Sequence, residues 1–347
     1  MKAISVLLRI FFISITFLLT ASGSGDGSDS TSTNAGNGGT NSKTELPSDI
    51  SGLVVLEAWD MYGYSGMPQG IFSFELESGQ LKTHKRLTTG GQGVRPYAQS
   101  RDVITYAQPC HDQINHRTRT FDEKGISSEV IIPCSTNYFS SFAWYTVAKI
   151  SPNKKYIAVE IETNDRVRPH VTKRIVKVFD MTTKEELSNF ENYNSPVWLP
   201  DNRLIMATSK LNNDSGIYLT DKRLAQLTRI DQGVINQNAS FLDISPTGNK
   251  LIFTMSGIIW MMDINQNHRL SNIKEIVNDG FILESAKWSP DGKYIAYLTF
   301  SGNTSFRKIT FWHIASKTPF ILKTQRIFPT DTYGIDFMTP ARLSWVR

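Results

Sequence analysis

One four-residue corner recurs along this chain, and its spacing limits the possible fold more than any other feature. It reads Ser151-Pro152-Asn153-Lys154, Leu199-Pro200-Asp201-Asn202, Ser245-Pro246-Thr247-Gly248 and Ser289-Pro290-Asp291-Gly292, with starts 48, 46 and 44 residues apart. A weaker form, Met338-Thr339-Pro340-Ala341, falls 49 residues after Ser289, and Gln99-Ser100-Arg101-Asp102 lies 52 residues before Ser151 without the proline. Proline at the first central turn position presets φ, and Asp, Asn or Gly tolerates the tight reversal that follows. After the four clear corners come β-rich runs: Tyr156 to Val159, Leu204 to Ala207, Leu251 to Thr254 and Tyr294 to Tyr297. Before them lie further apolar stretches, some ending in an aromatic such as Trp198 or Trp288. Each corner therefore predicts a hairpin.

A third strand is predicted at Ile175 to Phe179, Ile217 to Leu219, Ile258 to Met262 and Ile309 to His313. A fourth, less apolar strand ends in Leu87-Thr88 and Leu227-Thr228. Four strands in a period of about 45 residues is the length of one propeller blade. Sustained helical periodicity is missing, which excludes βαβ architectures, and a jelly-roll sandwich would not repeat one corner at this spacing. The expected fold is all-β: a β-propeller of six four-stranded blades over residues 47–347, closed by pairing of N- and C-terminal strands. Gly70 to Leu76 and Gln80 to Thr88 read as third and fourth strands of the closing blade. Thr332 to Met338 and Arg342 to Val346 read as its first and second, with Leu53 to Trp59 competing for the second slot or adding a strand.

The Ser-Pro-Asp-Gly corners, with runs such as Trp288 through Tyr297, resemble TolB-like propeller repeats, the Pro-Asp relatives of WD repeats. The resemblance covers residues 52–347 and implies the fold; function separates widely among propellers. In the family's namesake an α/β domain precedes the propeller, where this sequence has a Gly/Ser/Asn/Asp-rich stretch.

Residues 1–22 read as an export signal: Lys2 and Arg9 supply positive charge, Ile10 to Leu19 form a short apolar run, and Thr20, Ala21 and Ser22 are small. That run is too short to span a bilayer, and no other segment is apolar enough, so no transmembrane segment is expected. Leu19-Thr20-Ala21-Ser22 resembles a bacterial lipobox with Ser22 at the Cys position, where a hydroxyl cannot form the thioether. Residues 23–46 read as a flexible linker that buries too little apolar surface to order itself. The reading is a lipoprotein-like, exported chain, periplasmic or extracellular and soluble, with membrane association in lipidated relatives. Two cysteines, Cys110 and Cys134, suggest a disulfide in that compartment, worth about 3 kcal/mol by chain entropy, or else two free buried thiols. The formal charge of +5, lower by two without Lys2 and Arg9, is interspersed along the chain and gives no basic face for nucleic acid.

The sequence names no catalytic, cofactor or metal site. Cys110-His111-Asp112 with His116 lacks further ligands of defined spacing and reads as a loop. His84, His170, His268 and His313 are scattered. Gly63-Tyr64-Ser65-Gly66 is not a Gly-x-Ser-x-Gly elbow. The second-to-third connections, placed at 60–69, 108–117, 163–173, 209–215 and 301–307, share the face opposite the corners and vary in length. Variable loops on a rigid scaffold are where binding usually resides. They carry Tyr62, Tyr64, His111, Arg166, Arg168, His170, Asn212 and Asn303, a mixture suited to protein or glycan contact. The expectation is a monomeric, non-enzymatic propeller, without cofactor, binding an envelope protein or glycan. The alternative is a polysaccharide-active enzyme, lyase or hydrolase, with its site at the channel mouth; some polysaccharide lyases use TolB-like propellers.

Overall fold

The computed structural model describes residues 45–58, 70–87, 94–107, 115–122, 125–133, 141–165, 172–208, 215–278, 282–300, 307–322 and 343–347. Every regular element among them is a β-strand, and the strands form six four-stranded antiparallel sheets. The first holds β1 (Gly52–Ala58), β2 (Gly70–Glu77) and β3 (Gln80–Arg86). The second is β4 (Val94–Ser100), β5 (Val103–Ala107), β6 (Asn115–Asp122) and β7 (Gly125–Pro133). The third is β8 (Ser141–Ile150), β9 (Tyr156–Asp165), β10 (Thr172–Asp180) and β11 (Glu186–Glu191). The fourth is β12 (Tyr193–Trp198), β13 (Leu204–Thr208), β14 (Ile217–Thr220) and β15 (Leu227–Arg229). The fifth is β16 (Ser240–Ile244), β17 (Lys250–Met255), β18 (Ile258–Ile264) and β19 (Leu270–Val277). The sixth is β20 (Ile282–Trp288), β21 (Tyr294–Phe300), β22 (Arg307–His313) and β23 (Thr318–Leu322), after which β24 (Leu343–Val346) joins the first sheet beside β1.

The innermost strands touch in the order β24, β4, β8, β12, β16, β20 and back to β24, so they encircle one axis. Apolar cores lie between successive sheets. Val176 and Val178 pack with Trp198 and Met206, Ile252 and Met261 with Trp288 and Tyr297, and Phe74 and Trp345 with Leu298 and Phe311. A strand between two such cores is apolar on both faces, which is why Leu204 to Ala207 is a continuous buried run rather than an alternating one.

The corners owe their sequence to a small hydrogen-bond circuit. In the sixth sheet the Ser289 hydroxyl donates to Asp291 Oδ1 at 2.6 Å and accepts the Tyr294 N–H at 2.9 Å, while Asp291 Oδ1 also accepts Lys293 N–H. Ser151 and Asn153 repeat this at the third sheet. At the fourth, Leu199 has no hydroxyl, and Thr220 Oγ1 takes the equivalent N–H of Leu204 at 2.9 Å. The residue after the Asp position is left-handed in each: φ is 59° at Lys154, 65° at Asn202, and 73° at Gly248 and Gly292.

Neighbouring corners also touch around the whole ring. Arg101 pairs with Glu75 of the first sheet at 2.7 Å, and Gln99 Nε2 donates to Ser151 O. Asn202 Oδ1 accepts Asn153 N–H at 2.9 Å, Gly248 lies against the Pro200 ring, and Gly292 lies against Pro246. The belt closes where Asp49, just before β1, accepts from Tyr294 Oη at 2.6 Å and pairs with Lys293 at 3.2 Å. Asp49 is held there by its neighbours: Ile50 is buried, Leu46 packs on the same core, and Gly79 N–H donates to Ile50 O.

The closing sheet corrects the strand assignment. β24 occupies the first position and β1 the second, paired from Leu53↔Val346 to Leu56↔Leu343; residues 342–346 are not the second strand. Two contacts fix this register. Leu343 N–H donates to Ser285 Oγ on the inner strand β20, and Trp345 Nε1 donates to Ser51 O. Gly52, at φ 131°, allows the approach, because a Cβ there would stand 2.5 Å from Val346 O. Residues 332–341, including the outermost proline corner, lie outside the described residues.

The second-to-third connections also differ from expectation. β6 begins at Asn115, β9 continues to Asp165 and β10 begins at Thr172, so those connections are shorter than 108–117 and 163–173. In the fifth sheet the connection is only Ser256-Gly257, with left-handed φ at both residues.

Candidate functional site

The axis is lined by polar side chains two residues before the corners. Tyr97, Lys149, Asp243 and Lys287 occupy that position in the second, third, fifth and sixth sheets, with Val197 in the fourth. The Lys149 and Lys287 ammonium groups stand 4.8 and 5.6 Å from the centroid of the Tyr97 ring. Lys287 Nζ is 3.0 Å from Asp243 Oδ1, and Asp243 Oδ2 accepts the Trp288 N–H at 2.9 Å, so this carboxylate ties the fifth sheet to the sixth. Burial pushes the Tyr97 phenol well above its ordinary pKa, and the nearby Asp243 charge adds to the shift. Lys149 is only 4% exposed, and its backbone carbonyl accepts Trp198 Nε1–H at 2.8 Å from the next sheet.

A second layer lies two residues further from the corners. There β12, β16 and β20 carry bulges, with left-handed φ at Ser195, Phe241 and Ser285. The bulge turns backbone N–H groups out of the ladder, and neighbouring sheets accept them. Ser195 N–H donates to Glu160 Oε2 at 2.9 Å, and Phe241 N–H to Ser195 Oγ at 2.9 Å. Between the layers is a cavity of about 20 Å³, bounded by residues of all six inner strands, among them Pro96, Tyr97, Lys149, Ser195, Phe241, Ser285, Lys287 and Leu343. That is room for a single water. With Lys287 committed to Asp243 and the phenol held protonated, this arrangement joins neighbouring sheets around a narrow axis.

Among solved structures that resemble this one, an oligogalacturonate lyase from Vibrio parahaemolyticus matches with a TM-score of 0.51 at 11% identity, covering 86% of this chain and 88% of its own. An oligogalacturonate lyase in complex with manganese matches at 0.50 and 10% identity, covering 81% and 83%. The chain has a β-propeller fold. Its neighbours also include TolB from Acinetobacter baumannii, at 16% identity and a TM-score of 0.44, over 74% of this chain and 66% of that one. The chain thus spans just under two thirds of that TolB chain. No family model matches the sequence, and no curated protein does. These likenesses concern the fold alone.

The sequence-based binding residues Tyr62, Tyr64, His111, Arg166, Arg168, His170, Asn212 and Asn303 lie outside the described residues, as do Cys110 and Cys134. The eight candidates belong to connections that join the second and third strands of their sheets. The axial residues were missed from sequence. Their signal was positional, since Tyr97, Lys149, Asp243 and Lys287 share one offset from the repeated corner. Of the four histidines read as scattered strand or loop residues, His268 sits in a turn beside Arg203 and Asp201, and His313 ends β22 with its ring against Tyr294.

Proposed function

We propose that the six sheets are the blades of one rigid, exported, non-enzymatic scaffold that binds an envelope protein or glycan through the end opposite the corners. The observation that supports this is the asymmetry of the ends. At the corner end the turns are short and tied to one another around the ring. At the other, connections run from the two-residue Ser256-Gly257 turn to the stretch 323–342. Rigid support beneath connections of unequal length is how binding surfaces are commonly built. The narrow axis, with its lysines and Tyr97 engaged between blades, agrees with a supporting role for the interior. The test is capture of partners from the native envelope by crosslinking and pull-down. Tyr64→Ala, Arg166→Ala and Arg168→Ala together should abolish capture; undiminished capture would refute the choice of face.

The second reading is a polysaccharide-active enzyme with its site at the channel mouth, favoured by the fold likeness to oligogalacturonate lyases. Release of unsaturated sugar ends from oligogalacturonate by the purified chain, read by ultraviolet absorbance, would establish it in place of the first.

A further inference from the structure

The corner end has a charge pattern that the binding proposal does not use. On blades 3 to 5 its turns expose Lys154, Lys155, Lys184, Lys222, Arg223 and Arg269. Asp180, Asp201 and Asp221 stand on the same turns and accept N–H groups of their own backbone, while Glu185 is exposed beside Lys184. Asp180 Oδ1 accepts the N–H groups of Thr182 and Thr183 at 2.8 and 3.0 Å, and Asp221 Oδ1 accepts those of Ala225 and Gln226 at 2.8 and 3.2 Å. Asp201 is paired with Arg203 at 2.7 Å. The short Asp side chains cap the turns, Lys184 Nζ turns back to Met181 O and Lys155 Nζ lies 5.4 Å from the Tyr156 ring, so the cationic excess of this end rests chiefly on the exposed Lys154, Lys222, Arg223 and Arg269.

A second observation concerns where the chain enters. Leu46 packs on the core between the sixth and closing blades, and Asp49 reaches Tyr294 and Lys293 at the corner of the sixth. The first described residues therefore lie at the corner end.

We infer that the corner end of blades 3 to 5 docks on an anionic phospholipid surface, leaving the opposite end free to bind. The short turns make this end even, which suits a planar partner, and several basic side chains at one level are what an anionic bilayer attracts. The attraction is electrostatic and so weakens with salt. This assignment is independent of what the opposite end binds.

The test is co-sedimentation of the purified chain with vesicles of phosphatidylglycerol in phosphatidylcholine, and with phosphatidylcholine alone, at low and high salt. Binding is expected only to the anionic vesicles and is expected to be released by salt. Lys154→Glu, Lys155→Glu, Lys184→Glu, Lys222→Glu and Arg223→Glu combined should weaken it by at least about tenfold. Should that variant misfold by circular dichroism, Lys222→Glu with Arg223→Glu alone should still weaken it measurably. Arg166→Ala with Arg168→Ala should leave it unchanged, which separates this assignment from the proposed binding face. Equal binding by the charge-reversed chain, no binding to anionic vesicles, or tighter binding to soluble polyglutamate would overturn it, the last assigning the surface to an acidic protein.

Discussion

At the corner end, Arg101 reaches Glu75, Gln99 reaches Ser151, Asn153 reaches Asn202, and Asp49 reaches Tyr294 and Lys293. At the opposite end, the second-to-third connections share neither length nor sequence, from the two-residue Ser256-Gly257 to the eleven residues between Ala58 and Gly70. The difference follows from repetition. Turns of fixed length hold neighbouring corners at a similar spacing around the ring, so each can reach the next, by Gly against Pro twice and by differing polar contacts elsewhere. Connections of unequal length have no shared geometry in which to do so. Stability therefore collects at one end and along the axis, and sequence freedom at the other.

The comparison is most severely tested on the axis. Asp243→Ala should remove the link between the fifth and sixth blades, leaving Lys287 and the Trp288 N–H without their carboxylate. A loss of about 3–5 kcal/mol is expected, read as a lowered denaturant midpoint. Trp198→Phe and Trp288→Phe sharpen it further, since the two indoles hold matching positions before their corners. Trp198 donates to Lys149 O, whereas Trp288 Nε1 has no hydrogen-bond partner among the described residues. The first change should cost about 1 kcal/mol more than the second in equilibrium unfolding.

Tyr294→Phe tests the closing link of the belt. The hydrogen bond from Tyr294 and the pairing with Lys293 hold the Asp49 carboxyl below its ordinary 3.8 against a smaller opposing effect of burial. A depressed carboxylate contributes stability above its unfolded-state pKa and loses it as pH falls through the folded-state value. The variant should therefore be less stable than the parent at neutral pH, by under about 1 kcal/mol because the carboxylate is partly exposed and screened. In urea titrations the gap should shrink as the pH is lowered below 3.8. The smallest effects are expected at the opposite end. Tyr64→Ala, Arg166→Ala and Arg168→Ala should each change unfolding free energy by no more than about 0.5 kcal/mol, while the three together abolish capture.

What could be read from sequence divides along the same line. The corners were legible because proline, Asp/Asn and a left-handed residue must occupy adjacent positions to make the turn. Even the proline-free Arg101-Asp102 turn falls where the spacing placed it, between β4 and β5. The second strands were legible as apolar runs. The order of strands in the closing blade was not, because Leu53 to Trp59 and Arg342 to Val346 are equally β-like. Their order depends on Gly52 beside Val346 O, Trp345 on Ser51 and Leu343 on Ser285. Each contact joins residues remote in the chain. The axial residues look unrelated in type, and only their common distance from the corner marks them. Part of the Ser151 circuit was equally hidden at the fourth blade, where Thr220 replaces a hydroxyl that Leu199 lacks.

The division between a tied end and a binding end is tested most directly by a photo-crosslinking residue placed at Asn212, in a second-to-third connection, and separately at Asn267, in a corner-end turn. In intact cells the account predicts a defined partner adduct from position 212 and none from position 267. A partner adduct from position 267, or equal yields from both, would contradict it.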